Sequence, residues 1–162
     1  MIRKAIQNDI AAINEIYNHA VAAKFQTASM VEQSLAETKK WFQEHQRERY
    51  NIYVYVIDNK VVGWCSFSPY YDREATSHTA EISYYLHKNF QNMGIGTKLM
   101  EFIFEKAHEF NFTALFATLI SANNASIALL EKFNFKRWGA LKNTAKIDNN
   151  FYDILYYGIN LD

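Results

Sequence analysis

The sequence predicts a mixed α/β fold, in which a central sheet carries helices on both faces. Three observations predict it. An aromatic and aliphatic stretch, Thr79–Leu86, leads into a turn with two glycines and then into apolar residues at helical spacing, which reads as strand, turn, helix. Residues 50–57 and 61–68 are β-branched or aromatic and flank Asp58-Asn59-Lys60, the pattern of a hairpin. Around these units helix and strand patterns follow one another in the order βααββ-βαβαββ.

Taken in order, residues 2–6 read as a short strand. Asn8 or Asp9 can cap a helix whose apolar face is Ile10, Ile13, Ile16, Tyr17, Ala20 and Val21. Residues 24–30 form a loop, and a second helix is expected over 31–47, with Leu35, Thr38, Trp41, Phe42 and His45 along one side. Its polar side, including Glu44, Arg47 and Glu48, reads as solvated. The hairpin follows. Its second strand holds Cys65, read as a buried, inert thiol, and Pro69 ends it before a polar loop at 70–77. After the central strand and helix come a strand at 113–120 and a short helix at 124–133, capped by the Ser121–Asn124 segment. Two last strands, 135–141 and 151–159, are joined by a polar loop at 142–150. The sequence shows no linker, repeat or low-complexity segment, so residues 1–162 read as one domain.

The central turn is Gln91-Asn92-Met93-Gly94-Ile95-Gly96, followed by Leu99, Phe102, Ile103, Ala107 and Phe110 on one helical face. Two glycines permit positive φ, and the helix's first turn leaves amide N–H groups without partners at the positive end of its dipole. That combination can hold a phosphate. Alone it is also an ordinary tight turn. A dinucleotide fingerprint needs a third glycine where Leu99 stands, and a Walker A loop needs a different order from Gly96-Thr97-Lys98.

Gln91, Gly94 and Gly96 match Gln/Arg-x-x-Gly-x-Gly/Ala, and the motif resembles the acetyl-CoA pyrophosphate loop of the GNAT superfamily of N-acetyltransferases. Within it, the chain resembles the phosphinothricin and methionine sulfone acetyltransferase branch. Ile2-Arg3 opens the chain and Ile16-Tyr17-Asn18-His19-Ala20-Val21 ends its first helix. Thr79-Ala80-Glu81 with Ser83-Tyr84-Tyr85-Leu86 is similar to the branch's Thr-x-Glu and Ser-Val-Tyr-Val. Asn123-x-x-Ser126 precedes a helix, and Asp153 lies near the end. The resemblance runs from residue 2 to about 157. It implies the GNAT fold, a mixed but mostly antiparallel sheet of about seven strands whose fourth and fifth strands splay apart to admit the cofactor.

Bulk properties exclude several classes. Lys+Arg and Asp+Glu both total 17, so there is no basic excess for nucleic acid. No apolar run spans a membrane, and the N-terminus lacks a signal peptide's apolar core. Cys65 is the single cysteine, which leaves no internal disulfide and makes a cytoplasmic setting the default. The five histidines show no zinc-ligand spacing, so no metal is expected. Gly-x-Ser-x-Gly is absent, which removes the common hydrolase nucleophile.

The implied reaction moves an acetyl group from acetyl-CoA to an amine. An ammonium with pKa of about 10 must first lose a proton. Glu81, among apolar neighbours on the central strand, is the candidate general base; a carboxylate exposed at a strand end is the plain alternative. By resemblance, the backbone around Tyr84, Tyr85 and Leu86 pairs with the pantetheine arm. Their side chains are expected only to pack. Gln91 and Asn92 through Thr97, with Met93 and Ile95 among them, hold the pyrophosphate. Asn123 and Ser126 contact the CoA arm or simply cap their helix. Phe25, Glu74, Ala75, Thr76 and Lys146 are expected at the acceptor. Leu130 stands where many relatives place a tyrosine or histidine that protonates the leaving thiolate. Asn134 replaces the glycine of a usual Gly-Phe pair. Residues 145–151 lack the branch's glycines, which puts phosphinothricin itself in doubt. The expected acceptor is a small amino-acid-like amine and the expected assembly a homodimer. A peptide amine, a non-catalytic acyl-CoA-binding module and a purely structural domain remain open.

Overall fold

The computed structural model describes residues 1–71 and 73–162. Its elements are β1 (Ile2–Lys4), α1 (Ile10–Ala22), α2 (Leu35–Glu44), β2 (Ile52–Ile57), β3 (Lys60–Pro69), β4 (Thr79–Leu86), α3 (Ile95–Glu109), β5 (Ala114–Ile120), α4 (Asn124–Lys132), β6 (Lys136–Ile147) and β7 (Asn150–Asn160). They form one seven-stranded sheet in the order β1-β2-β3-β4-β5-β7-β6. Every neighbouring pair is antiparallel except β4 and β5. This is the mixed sheet that the sequence predicts, in the GNAT arrangement that the resemblance implies.

One layer sits on each face. Beneath α3, the residues Leu99, Met100 and Ile103 close fully onto Phe67, Ile82 and Leu115. Burying side chains of this size contributes roughly 1.5–3 kcal/mol each. On the other face Ile13 and Ile16 of α1 and Phe42 of α2 pack on Ile52, Val54 and Trp64. Strand alternation assigns β4 to both layers. Ala80 and Ile82 are buried on the α3 side, so Tyr84 and Leu86 rise there too, while Glu81, Ser83 and Tyr85 rise on the α1 side.

The decisive feature is where β4 and β5 stop pairing. They are in register only at Thr79↔Ala114, Ala80↔Leu115 and Glu81↔Phe116. Beyond that, β4 continues along β3 as far as Gly63↔Leu86, and β5 continues along β7 as far as Ile120↔Ile154. Each strand keeps its outer partner, so only their mutual hydrogen bonds are given up. The backbone of β4 after Glu81 thus faces a wedge-shaped gap.

Three expectations need correction, and a fourth gains detail. Neither Asn8 nor Asp9 caps α1 with its side chain; a 3₁₀ turn, Gln7–Asp9, leads in. The Asp9 carboxylate instead accepts from Ile6 N–H (2.8 Å) and from the two terminal guanidinium nitrogens of Arg3 (2.7 and 2.9 Å). The second helix is shorter than 31–47, because Ser34 and Glu37 form a capping box at its start and His45 ends it. Residue 33 is held before the helix by Asn14 and Asn18. The polar loop expected at 142–150 is mostly strand: β6 bulges between Leu141 and Ala145 and runs on to Ile147. Asp148 and Asn149 take φ of 49° and 64°, so a two-residue turn suffices. The expected loop at 70–77 contains the short 3₁₀ turn Glu74–Thr76, and its residue 72 lies outside the described residues.

Candidate active site

The turn before α3 has the backbone that its glycines suggest. Asn92 and Gly94 take φ of 60° and 77°, and Gly94 is the N-cap residue of α3. The Lys98 amide bonds to the Gly94 carbonyl at 3.2 Å, so the amides of Ile95, Gly96 and Thr97 precede the helix's own ladder. Nothing lies within 4 Å of where a Gly94 Cβ would be, whereas a Gly96 Cβ would sit 3.2 Å from Leu129 Cδ2. The turn is open above and α4 approaches it closely at Gly96.

A groove of about 280 Å³ starts at this turn. Gln91, Asn92, Gly94, Gly96 and Thr97 form one end, Tyr84, Tyr85 and Leu86 one wall, and Asn123 and Ser126 the other. Met93 is 61% exposed and lies outside its lining, and Ile95 is buried under the helix. A smaller crevice of about 40 Å³ continues into the gap between β4 and β5, past Ser83, Tyr84, Thr118, Ser126 and Leu130. Asn123 caps α4 through its side-chain Oδ1, which accepts from the Ser126 N–H at 3.2 Å. The Tyr84 hydroxyl donates to Ser126 Oγ at 3.2 Å.

Glu81 sits where the gap opens, between Ser68 on β3 and Phe116 on β5. Burial raises its carboxyl pKa above the usual range, and the Thr118 hydroxyl, next along the same face of β5, pulls it partly back. The raised pKa makes this half-buried carboxylate a stronger proton acceptor than an exposed one. Burial also raises the Tyr84 phenol, to about 12, against the lowering effect of Ser126.

On the Glu81 side, a cavity of about 200 Å³ lies between α1, α2 and the sheet. Tyr17, Gln33, Thr38, Trp41, Trp64, Ser83 and Tyr85 line it along with Ile13. Its rings contact one another: Trp41–Trp64 at 5.3 Å, Trp64–Tyr85 at 4.8 Å and Tyr17–Tyr85 at 5.3 Å between centroids. Among the described residues, no charged side chain lines it.

The residues that the resemblance puts at the acceptor are not gathered in these three cavities. Phe25 packs edge-on against Tyr152 at 5.2 Å, and Lys24 beside it pairs with Asp148. Glu74, Ala75 and Thr76 form their 3₁₀ turn, and Lys146 lies over the Phe151 ring on the outer hairpin. Sequence reasoning missed Gln26, Ala125 and Leu129 in the groove and Thr118 beside Glu81. For Thr118, the signal was the alternation of 113–120 once paired with Glu81. For Gln26, no signal exists, because the loop's path decides it.

Local spacing shows no metal-ligand set, yet the fold gathers Glu15, His19 and His87, with ligand atoms within 4.8 Å of one another. His87 Nδ1 accepts the Asn89 N–H at 3.2 Å, which puts the ring's hydrogen on Nε2, the atom facing Glu15 at 3.6 Å. Burial lowers the His19 pKa, with His87 and Lys88 adding to it and Glu15 opposing. The trio brings α1 and the end of β4 together through contacts of 3.8 Å from His19 Nε2 and 3.6 Å from His87 Nε2 to Glu15 Oε1. Among the described residues, no helix is long and apolar enough to cross a membrane.

The family model described as "Acetyltransferase (GNAT) family" matches residues 11–135. The chain is 29% identical to the L-methionine sulfoximine/L-methionine sulfone acetyltransferase of Salmonella typhimurium, over 99% of this chain and 94% of that one. It superposes with a TM-score of 0.95 on an N-acetyltransferase from Staphylococcus aureus Mu50, at 30% identity, covering 100% and 98% of the two chains. A GNAT superfamily phosphinothricin acetyltransferase from Sinorhizobium meliloti, in complex with AcCoA, matches with a TM-score of 0.93 at 25% identity, covering 99% and 88%. With the glycine turn, the parted strands and these matches together, the chain belongs to the GNAT acetyltransferase family, beside the phosphinothricin and methionine sulfoximine enzymes, and is an N-acetyltransferase.

Proposed function

We propose that the enzyme transfers acetyl from acetyl-CoA to the amine of a small amino-acid-like acceptor, with Glu81 as general base. One observation carries the reading: a groove runs from the open amides after Gly94 along the unpaired edge of β4, and the crevice beside it reaches Ser83 and Thr118, the hydroxyl that bonds to the half-buried carboxyl of Glu81. The amides of residues 92–97 hold the pyrophosphate, aided by Gln91. The free edge of β4 at Tyr84, Tyr85 and Leu86 takes the pantetheine amides as an added strand, and a backbone N–H there polarises the thioester oxygen. Asn123 and Ser126 face the same arm. Glu81 takes the amine's proton, directly or through a water. Acetyl-CoA is bound in the relative from Sinorhizobium meliloti, and the Salmonella relative's name supplies the acceptor class.

The uncharged aromatic cavity beside Ser83 and Tyr85 suits the acceptor's side chain, with Phe25, Glu74, Ala75, Thr76 and Lys146 as the further contacts that the resemblance suggests. The homodimer is part of the same reading, and a monomer mass in light scattering would remove it. Thiol release from acetyl-CoA with a panel of amino acids tests the function, beside calorimetry with CoA. Turnover is expected, and Glu81→Gln should keep acetyl-CoA affinity while lowering turnover about 10²–10⁴-fold. Leu130, fully buried and without a proton to give, favours one second reading, an acyl-CoA-binding module. CoA binding without turnover on a broad panel would select it.

A further inference from the structure

The departing sulfur needs a partner. When the amine nitrogen bonds to the acetyl carbon, the C–S bond breaks and its electron pair stays on sulfur. Leu130 is fully buried beside the crevice and can offer nothing. The crevice is lined by five side chains that carry O–H groups. Ser83 and Tyr85 rise from β4 on the Glu81 face, and Thr118 is engaged with Glu81. On the opposite wall stand Tyr84 and Ser126, joined by their own hydrogen bond of 3.2 Å. Both line the groove from the glycine turn and the crevice toward Glu81. A thioester arm spanning that path must pass them. Ser126 is itself fixed: it lies in the first turn of α4, and its N–H bonds to the Asn123 side chain.

We propose that the Tyr84 hydroxyl, backed by Ser126, donates a hydrogen bond to the thioester sulfur as it departs, the task for which Leu130 has no group. The inference rests on the proposed function. Tyr84 turns its hydrogen from Ser126 Oγ to sulfur, and the Ser126 hydroxyl in turn donates to the Tyr84 oxygen, so the two bonds reinforce each other. Tyr84 keeps its proton throughout. Burial holds that phenol at about 12, well above a thiol at about 8–9, so it stabilises the thiolate and does not protonate it. Of the three protons on the ammonium, Glu81 takes one, a second ends on sulfur and the third remains on the amide.

The test needs no acceptor. CoA is bound to the full chain and its thiol titrated by thiolate ultraviolet absorbance, with affinity measured separately by calorimetry. In wild type the bound thiol should titrate below free CoA. Tyr84→Phe should raise its pKa by about one to two units, the worth of a hydrogen bond to a charged group, with little change in affinity. Ser126→Ala should raise it by less. Adding Leu130→Tyr to Tyr84→Phe should restore part of the shift. A bound thiol that titrates alike in wild type and both single variants would overturn the inference while leaving the proposed function standing. Failure of wild type to bind CoA would overturn the proposed function itself.

Discussion

The two faces of β4 invite comparison. On the α3 side, Tyr84 and Leu86 look toward α4 and the glycine turn, and the surrounding groups are backbone amides, hydroxyls and the side-chain amides of Gln26, Gln91, Asn92 and Asn123. On the α1 side, Glu81, Ser83 and Tyr85 look toward a carboxylate's partner, Thr118, and an aromatic cavity. In the proposed function one face grips an anionic, extended arm, and the other receives a compact acceptor and takes its proton. Period-two alternation separates these tasks by a single residue step, so a one-residue slip of β4 would exchange them. The parting of β4 from β5 after Glu81 exposes both faces to a common gap.

If the faces divide the work in this way, substitutions should sort by face. Gly94→Val is expected to have the largest effect of the three that follow. A β-branched residue resists φ of 77°, and misplacing amides that each contribute roughly 1.5–3 kcal/mol should weaken acetyl-CoA at least tenfold by calorimetry. Acceptor affinity should survive; unchanged CoA affinity in a folded variant would remove the turn from the site. Trp41→Ala, on the other face, removes a ring that contacts both Trp64 and His45. Acceptor KM should rise several-fold with CoA affinity kept, and the reverse pattern would contradict the assignment of the cavity. The smallest effect is expected for Leu130→Tyr alone. A CoA thiol is already a fair leaving group and Tyr84 stands by the same crevice, so turnover should change by no more than a few-fold. A large gain would mean that a true acid had been missing.

What the sequence made legible follows the range of the causes. The glycine turn could be read because its determinants lie within a few residues, and positive φ at Asn92 and Gly94 agrees with them. The 58–59 hairpin was read the same way, with φ of 46° and 60° at Asp58 and Asn59. The same chemistry at Asp148-Asn149 was passed over, because the bulged and largely exposed second half of β6 carries no clean alternation. The trio Glu15, His19 and His87 was invisible, since His87 joins α1 only once β4 is laid against it. Tyr84 and Tyr85 looked like equivalent packing residues in sequence. Their difference appears only when the pleat sends Tyr84 to Ser126 and Tyr85 to Tyr17.

The account turns on Glu81 being the base, and the pH dependence of the penalty for its loss tests this most directly. Burial raises the Glu81 pKa, but the group must be ionised to accept a proton, so its help is present only above that raised value. At higher pH the acceptor's own free amine forms without help. Turnover of wild type and Glu81→Gln should therefore be compared from about pH 6 to about pH 9 under conditions where chemistry limits the rate. The account predicts a ratio that is large near neutrality and shrinks as the pH climbs toward the amine's pKa. Equal turnover by the two proteins across the whole range would contradict it.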